Sequence, residues 1–397
     1  MSQDIFVISK TKVKNMTYDF DKVINRAGTH AVKLEKTPAG SAPFWIADMD
    51  FDTAEPIKQA VIERAQKGCY GYTTYSDELK EATQKWFETR HGVHYEKEWM
   101  VYAPTVVAGI ACLIEALTEP GDGILIQEPV YHPFKRHILS TGRKPIIYNL
   151  EKSFGFYTID FFKFEAMMAN PEVKGMILCS PHNPCGRVWT KSELSIMATI
   201  AKVYGKFIIC DEIHCDLTRN GVVHTPILNL AEDYKDNIAI CTAPSKTFNL
   251  AGMQLSTIII PGEEMRKKFQ DVIEGQLDLA IPGALSLVAA TAAYNEGGEW
   301  LDQLKDYLDK NMEFAMEFFM KYLPEAIVTP PEGTYLLWVD LSAYMNGNRW
   351  QNVADMMDKC KIFFNDGEMF GDAGKGHIRI NVACPKAVLE EGLKRLL

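Results

Sequence analysis

The sequence predicts an α/β fold in which a large domain with a mainly parallel sheet is joined to a smaller α+β domain. The chain has 397 residues, more than one compact core usually holds. Between residues 56 and 285, short apolar segments alternate with helical patterns, as in parallel sheets covered by helices on both faces. Helices dominate beyond this block. We therefore expect the large domain at 56–285 and the small domain at 1–55 plus 286–397.

The elements follow from local patterns. Residues 41–51 predict a loop or short strand. Helices are expected from Pro56 to a stop at Gly68, and over 76–92 with Ser76 as N-cap. Strands are expected at 99–104, 123–129, 144–150, 173–181, 206–213, within 237–248 and at 255–261, with helices between most of them. A long helix then covers 299–323, and strands are expected at 333–340 and 377–383.

Composition limits the classes of function. A net charge of −10 disfavours binding to nucleic-acid phosphates. The nine cysteines are irregularly spaced and form no CxxC pair, which predicts buried free thiols in a reducing compartment and no zinc ribbon. The first 15 residues lack the apolar region of a signal peptide, and no apolar run is long enough to span a membrane. We expect a cytoplasmic protein that binds neither membrane nor nucleic acid.

Two charged residues follow predicted strands, where parallel sheets bind their ligands. Asp211 ends a strongly apolar strand, and a buried carboxylate there requires a partner. That partner is either a basic side chain or a cationic nitrogen of a ligand. Lys246 follows another strand, and a desolvated lysine can form a Schiff base. The alternative is an ordinary surface lysine in a loop.

Two further strand ends add polar groups. Asn183 lies in a turn rich in proline and glycine. Thr105, Val106 and Val107 open a helix whose free N–H groups would suit a phosphate, although an ordinary strand–helix turn explains them equally well. The nucleotide fingerprints GxGxxG and GxxxxGK[ST] are missing. An acid, an amine, an amide and an anion cradle together form the set that pyridoxal phosphate (PLP) needs.

Several ordered motifs carry a family resemblance. SPHNPCGRVW, CDEIHCDL, APSKTFNLAG and HIRINVACP resemble the fold-type I PLP enzymes, the aspartate aminotransferase superfamily of class I and II. FWIADMDF and YGYTTY add a similarity to the MalY/PatB group of carbon–sulfur lyases, usually called cystathionine β-lyases. The resemblance covers nearly the whole chain. It implies a PLP-dependent transferase-like fold, PLP as cofactor, a small amino-acid substrate, and a homodimer with active sites at the subunit interface.

The resemblance also implies roles for single residues. Lys246 would carry the cofactor and move the substrate Cα proton, and Asp211 would pair with the pyridine N–H. Asn183 would hydrogen-bond the 3′-oxygen of the cofactor, with His214 as a second partner. Tyr131 would stack on the ring, and with Lys246 it is the candidate catalytic pair.

The remaining implied roles concern the phosphate and the substrate. The phosphate would be held by residues at two strand ends: Val106, Val107, Ser245 and Thr247. Tyr72 would reach the phosphate of the neighbouring subunit, and Arg379 would bind the substrate α-carboxylate through its planar fork. No metal site is expected: His91 and His94 lack a third ligand pattern, and we expect them at an exposed helix end.

Two differences from the pattern of many aminotransferases bear on the type of reaction. Many aminotransferases carry an arginine eight residues after the lysine, where this chain has Gln254, and Ala243 replaces a frequent serine. These differences favour α,β-elimination of cystathionine or related cysteine S-conjugates to a thiol, pyruvate and ammonia. PLP-dependent transamination remains the alternative, because the same residues could return the proton to the cofactor. A third interpretation is a PLP-binding regulator without catalysis.

Overall fold

A seven-stranded sheet forms the centre of the computed structural model, which describes residues 16–397. Its strands are β1 Met100–Ala103, β2 Gly123–Glu128, β3 Lys144–Asn149, β4 Val173–Cys179, β5 Phe207–Asp211, β6 Ile238–Thr242 and β7 Ser256–Ile259. The spatial order is β1-β7-β6-β5-β4-β2-β3. Only β7 is antiparallel to its two neighbours in this sheet. The predicted mainly parallel sheet is confirmed.

The apolar character of the strands matches their position. All residues of β2, β5 and β6 are buried, because helices cover both faces of the sheet. The helices that connect the parallel strands are Val106–Leu117, Pro133–Ser140, Phe161–Met168 and Lys191–Val203. Thr105 caps the first by accepting a hydrogen bond from the Ala108 N–H, and Thr190 forms a capping box with Glu193. These caps fix where each chain segment turns at the edge of the sheet.

Helices from distant parts of the chain pack beside this sheet. The helix Asp77–His91 begins at the predicted cap Ser76 and ends at Gly92, whose φ of 62° is the left-handed conformation that glycine adopts readily. It packs with Glu55–Gln66 against Ala284–Glu296. The remaining helices before residue 284 are Val32–Glu35, Pro244–Thr247 and Glu263–Gln270, the last continued by a π-helical turn at Asp271–Gln276.

A second sheet lies in the C-terminal part. Its four strands are antiparallel, in the order Ile327–Val328, Leu336–Asp340, His377–Asn381 and Asn365–Asp366. The C-terminal helices are Gly298–Tyr322, Val353–Cys360 and Lys386–Lys394. Two short pairs complete the strands: Ala42–Pro43 with Ile362–Phe363, and Glu151–Ser153 with Phe156–Thr158.

The division into two domains stays a prediction. The expected boundary between residues 285 and 286 falls inside the helix Ala284–Glu296, so no element ends there. Ala42–Pro43 pairs with a strand of the C-terminal part, which joins the N-terminal segment to it. The expectations for residues 1–15 lie outside the described residues. Across residues 16–397, no helix is long and apolar enough to cross a membrane.

Candidate active site

A cavity of about 420 Å³ opens at the carboxyl ends of the parallel strands. Nine of the eleven residues proposed from the sequence line it: Val106, Val107, Tyr131, Asn183, Asp211, His214, Ser245, Lys246 and Arg379. The predicted strand ends therefore converge, as the geometry of a parallel sheet requires. Two of the proposed residues, Thr247 and Tyr72, lie outside this lining.

Lys246 brings an amine into the cavity. It lies in the one-turn helix Pro244–Thr247, which directly follows β6. Its Nζ donates a hydrogen bond to the carbonyl oxygen of Ala47 at 2.6 Å, and the Tyr335 hydroxyl donates to the same oxygen at 2.8 Å. Burial, together with the positive charge of Arg379, lowers the pKa of Lys246 to about 8. An appreciable fraction of this amine is therefore neutral near pH 7.5, as nucleophilic attack requires.

Asp211 places a buried carboxylate at the end of β5. Its Oδ1 accepts a hydrogen bond from the Ile213 N–H at 3.1 Å. Burial raises the pKa of Asp211 from 3.8 to about 7. In the described part of the chain, no basic side chain forms an ion pair with it within 4 Å, so the salt-bridge alternative is not realised there. A buried carboxylate in this situation fits a cationic ring nitrogen, such as that of PLP.

Arg379 places a buried guanidinium in the same cavity, on the strand His377–Asn381. Its hydrogen bonds go only to neutral oxygens: Asn183 Oδ1 at 2.9 Å, the Trp45 carbonyl at 3.0 Å and Asn365 Oδ1 at 2.5 Å. Its Nε has no partner among residues 16–397. Burial lowers the pKa of Arg379 to about 10. A buried cation without a carboxylate partner is suited to an anionic ligand.

The start of the helix Val106–Leu117 provides an anion site in the cavity wall. The first turn of any helix leaves N–H groups without intrahelical acceptors. Thr105 Oγ1 accepts one of them, from Ala108, at 3.1 Å, while Val106 and Val107 face the cavity. Ser245 and Gln254 lie in the same lining. This wall combines N–H groups with neutral side chains, and it fits a phosphate bound without an arginine at position 254.

Aromatic and imidazole groups complete the wall. The Tyr131 ring lies 5.5 Å from the ring of His132 and 5.6 Å from that of Phe134, and burial raises the pKa of its hydroxyl. His214 is fully enclosed, and burial together with the charges of Lys246 and Arg379 holds its pKa well below the usual value. His214 is therefore neutral at physiological pH, and a neutral imidazole can donate and accept hydrogen bonds.

Thr247 has a different contact from the one expected. Its hydroxyl donates to Asp216 Oδ2 at 2.7 Å, so it does not face the cavity. Asp216 Oδ1 also accepts from Trp86 Nε1 at 3.0 Å and lies 2.8 Å from His91 Nε2. The expectation of an exposed helix end is wrong for His91, because its side chain packs inward onto Asp216. His94 is half exposed and contacts surface glutamates, as a solvent-facing residue does.

Tyr72 lies on the surface with 95% of its area exposed. It makes no contact with the cavity of its own chain. Its role at a phosphate therefore stays a prediction that requires a second subunit.

Sequence reasoning missed several residues of the site. Trp45 and Asn365 hold Arg379 in place, His132 lines the cavity beside Tyr131, and Asp216 fixes Thr247 behind Lys246. Trp45 and Asp216 stand inside the motifs FWIADMDF and CDEIHCDL, which was the available signal. Asn365 lies in a short strand between apolar segments, and no local pattern distinguishes it.

Comparison with known proteins agrees with this geometry. The model of the family described as aminotransferase class I and II matches residues 44–396. Cystathionine beta-lyase PatB of Bacillus subtilis is 39% identical over 386 residues, which cover 95% of this chain and 98% of that protein. Protein MalY of Escherichia coli is 34% identical over 387 residues, covering 96% and 98% respectively.

Solved structures show the same likeness. Cystalysin of Treponema denticola, which contains a PLP cofactor, superimposes with a TM-score of 0.91 at 35% identity, covering 96% of this chain and 98% of that one. The PLP-bound C–S lyase of Staphylococcus hominis gives a TM-score of 0.91 at 34% identity, covering 96% and 97%. These neighbours confirm the transferase-like α/β fold. The chain therefore belongs to the class I and II aminotransferase family, and it is similar over nearly its full length to cystathionine beta-lyase PatB and to Protein MalY, the group that its motifs indicated.

Proposed function

We propose that this protein is a PLP-dependent carbon–sulfur β-lyase. It would convert cystathionine or a related cysteine S-conjugate, with one water, into a thiol, pyruvate and ammonia. One observation carries the proposal: a single cavity brings together the amine of Lys246, the uncompensated carboxylate of Asp211 and the uncompensated guanidinium of Arg379. Elimination is favoured over transamination by the names of two similar proteins, cystathionine beta-lyase PatB and the C–S lyase of Staphylococcus hominis. Gln254, which stands where many aminotransferases have an arginine, points the same way.

The proposed roles follow from the contacts. Lys246 would hold the cofactor aldehyde and Asp211 its ring nitrogen, while Val106, Val107 and Ser245 would hold the phosphate. Bound PLP would supply an electron-withdrawing ring that stabilises negative charge developing at the substrate Cα. The Asn183 amide oxygen is occupied by Arg379, so its Nδ2–H groups remain for the ring oxygen of the cofactor, next to the neutral His214. Tyr131 would cover one face of the ring.

The chemistry on the substrate would use the same side chains. Arg379 binds the α-carboxylate and thereby orients the Cα–H bond towards Lys246. Lys246 Nζ, once released from the cofactor, accepts the Cα proton, because its lowered pKa of about 8 leaves a neutral fraction. As the electron pair of the Cβ–S bond departs with sulfur, the protonated Lys246 amine would donate the proton taken from Cα to the leaving thiolate. Positioned proton transfer of this type contributes roughly 10²–10⁴-fold.

We also propose a homodimer whose subunits complete each other's sites. The exposed Tyr72 does not line the cavity of its own chain, and a second exposed tyrosine, Tyr70, stands two residues before it. Thr73 donates a hydrogen bond to the carbonyl of Pro282, which follows the exposed Ile281 in a segment that also exposes Leu277. An exposed apolar surface of this type suits a subunit interface.

The cytoplasm is the location that we propose. All nine cysteines carry free thiols, and seven of them are buried. Buried free thiols persist where the environment is reducing.

A product assay tests the proposed function. The holoenzyme is incubated with L-cystathionine and simpler cysteine thioethers, with and without a keto acid, and pyruvate is measured. Pyruvate without a keto acid is the result expected. A strict requirement for keto acid would show an aminotransferase instead. A colourless protein whose biological effect survives Lys246→Ala would show a binding role.

A further inference from the structure

A second cavity adjoins the active site. It has a volume of about 590 Å³ and lies between the helix Pro133–Ser140 and the segment 368–372. His132 and Met369 line both cavities. The two cavities therefore meet at these two residues, and we refer to the second as the distal groove.

The distal groove carries charges of both signs. Its cations are Lys135 and Arg136, and its acids are Glu128, Glu368 and Asp372. Lys135 pairs with the buried Glu128 at 3.1 Å. Arg136 is exposed, and no carboxylate of residues 16–397 lies within 4 Å of it. One guanidinium and two exposed acids, Glu368 and Asp372, are thus available to a ligand.

His132 links this groove electrostatically to the active site. Burial, followed by the positive charges of Arg379 and Arg136, lowers its pKa to about 4. The imidazole is therefore neutral at pH 7 and stands within reach of two guanidinium groups. One of these, Arg379, belongs to the active site, and the other, Arg136, to the distal groove.

The floor of the groove depends on a glycine. Gly371 has φ of +121°, a conformation that side chains rarely allow. A Cβ at this position would lie 2.2 Å from Glu128 Oε2. Glycine at position 371 therefore lets the Glu128 carboxylate approach the backbone and keeps Lys135 fixed along the wall. Of the two cations in the groove lining, Lys135 is thus paired, whereas Arg136 has no carboxylate within 4 Å among residues 16–397.

We propose that the distal groove binds the leaving half of a two-headed substrate, an L-cysteine thioether whose thiol is itself an amino acid. Arg136 holds the distal carboxylate, and the acidic rim formed by Glu368 and Asp372 attracts the distal ammonium. The inference rests on the proposed function and refines its substrate class. A thioether with an uncharged alkyl group fills the same path without these contacts, so the groove discriminates between the two.

The test compares two cysteine thioethers on the holoenzyme that share the alkyl chain up to the distal α-carbon. L-Cystathionine carries the distal charges, and S-propyl-L-cysteine lacks both. Arg136→Ala is expected to lower the ratio of kcat/KM for cystathionine over S-propylcysteine by about 10- to 100-fold, the loss of one charged hydrogen-bonded contact. Arg136→Glu is expected to lower it further. Lys191→Ala, which removes one exposed positive charge at a distant helix start, should leave the ratio unchanged.

Two results would overturn the inference. An unchanged ratio in Arg136→Ala would show that the groove does not bind the distal group. An equal loss for both substrates would show that Arg136 acts on machinery common to them. If the wild-type enzyme releases no pyruvate from either compound, the proposed function fails separately. In that case, calorimetry measures the dissociation constants of the same two compounds. If the distal groove binds the distal group, Arg136→Ala must raise the dissociation constant of cystathionine and leave that of S-propylcysteine unchanged.

Discussion

Arg379 Nη1 donates a hydrogen bond to Asn183 Oδ1 at 2.9 Å, and this bond joins the proposed substrate-binding residue to a proposed cofactor-binding residue. The oxygen of the Asn183 amide is thereby committed, so the orientation of its NH₂ group towards the cavity is fixed. Any displacement of the guanidinium will rotate or release this amide. Substrate binding and cofactor binding are therefore coupled through a single contact.

Arg379→Lys should lower kcat/KM for amino-acid substrates about 100-fold. Lysine keeps the charge but cannot form the planar two-pronged contact with a carboxylate while it also donates to Asn183 and Asn365. Steady-state kinetics measure the effect. Arg395→Lys, at the partly exposed end of the last helix and outside the cavity lining, serves as the control. Kinetics equal to wild type in Arg379→Lys would exclude the proposed role.

Lys246→Ala should abolish the covalent attachment of PLP and lower kcat by roughly 10²–10⁴-fold or more. Mass spectrometry after borohydride trapping measures the attachment. In the wild-type protein the adduct is expected on the peptide that contains Lys246. An adduct on another lysine would contradict the assignment of Lys246 as the residue that carries PLP. Lys191→Ala should retain both the adduct and the activity.

Asp211→Asn should stabilise the cofactor-free protein in a pH-dependent way. The folded pKa of Asp211 is about 7, above its ordinary 3.8, so the native state binds more protons than the unfolded chain between pH 4 and 7. Stability from this group therefore falls as pH rises through that window. Asparagine at position 211 does not ionise and carries no cost of burying a charge. The free energy of unfolding of Asp211→Asn relative to wild type should therefore grow by a few kcal/mol as pH rises from 4 to 7, since each pH unit contributes about 1.4 kcal/mol.

Denaturant unfolding of both cofactor-free proteins at pH 5 and pH 7.5 measures this difference. Asp358→Asn, on the exposed surface, provides the matched control and should show no such trend. If the free energies of unfolding of wild type and Asp211→Asn differed by the same amount at both pH values, the buried, uncompensated state of the carboxylate would be contradicted. With PLP bound, Asp211→Asn should instead lower activity, because the ring nitrogen loses its anionic partner.

Asp216→Asn should destabilise the protein by about 2–4 kcal/mol, because Trp86, His91 and Thr247 all direct polar groups at this carboxylate. Burial raises the pKa of Asp216, but contacts with His91 and hydrogen bonds from Thr247 and Trp86 lower it overall. Its stabilisation is thus present above about pH 4 and is lost as pH falls below that value. Thermal unfolding at pH 7 and at a series of pH values below 3.8 should show a difference from wild type that is large at pH 7 and shrinks progressively as pH falls through the lowered pKa of Asp216.

Tyr72→Ala and Lys246→Ala subunits should complement each other when they are mixed. If Tyr72 serves the neighbouring subunit, the hybrid dimer contains one site with both native residues and one site with neither. Activity should then recover to about one quarter of wild type, because half of the dimers are hybrids and each has one working site. Mixed subunits that remain as inactive as the two parents would exclude a shared site.

The order of strands and helices was predictable because the buried strands are continuously apolar and the helices between them have caps. Ser76 and Thr105 begin helices in the structure, and every strand expected between residues 99 and 261 is present. Site residues at strand ends were predictable for the same reason. The carboxyl ends of parallel strands meet at one edge.

Other features depend on contacts between distant segments. The helix Ala284–Glu296 is apolar around most of its circumference, so it lacks the periodic pattern that marks an amphipathic helix. The side chain of His91 looked exposed because its partner, Asp216, lies 125 residues away in the chain. The direction of the Thr247 hydroxyl depends on the same carboxylate. Local sequence carries no information on such pairings.

The resting position of the Lys246 amine is set by a main-chain oxygen, that of Ala47. A substitution of Ala47 leaves its main-chain oxygen in place, so the hydrogen bond from Lys246 is retained with other side chains at this position. The acceptor moves only if its segment moves, and that segment is anchored by Asp48 and Asp50, which pair with Arg26 and Lys33. Mutational scanning should therefore find these four surrounding charges less replaceable than the residue that makes the contact.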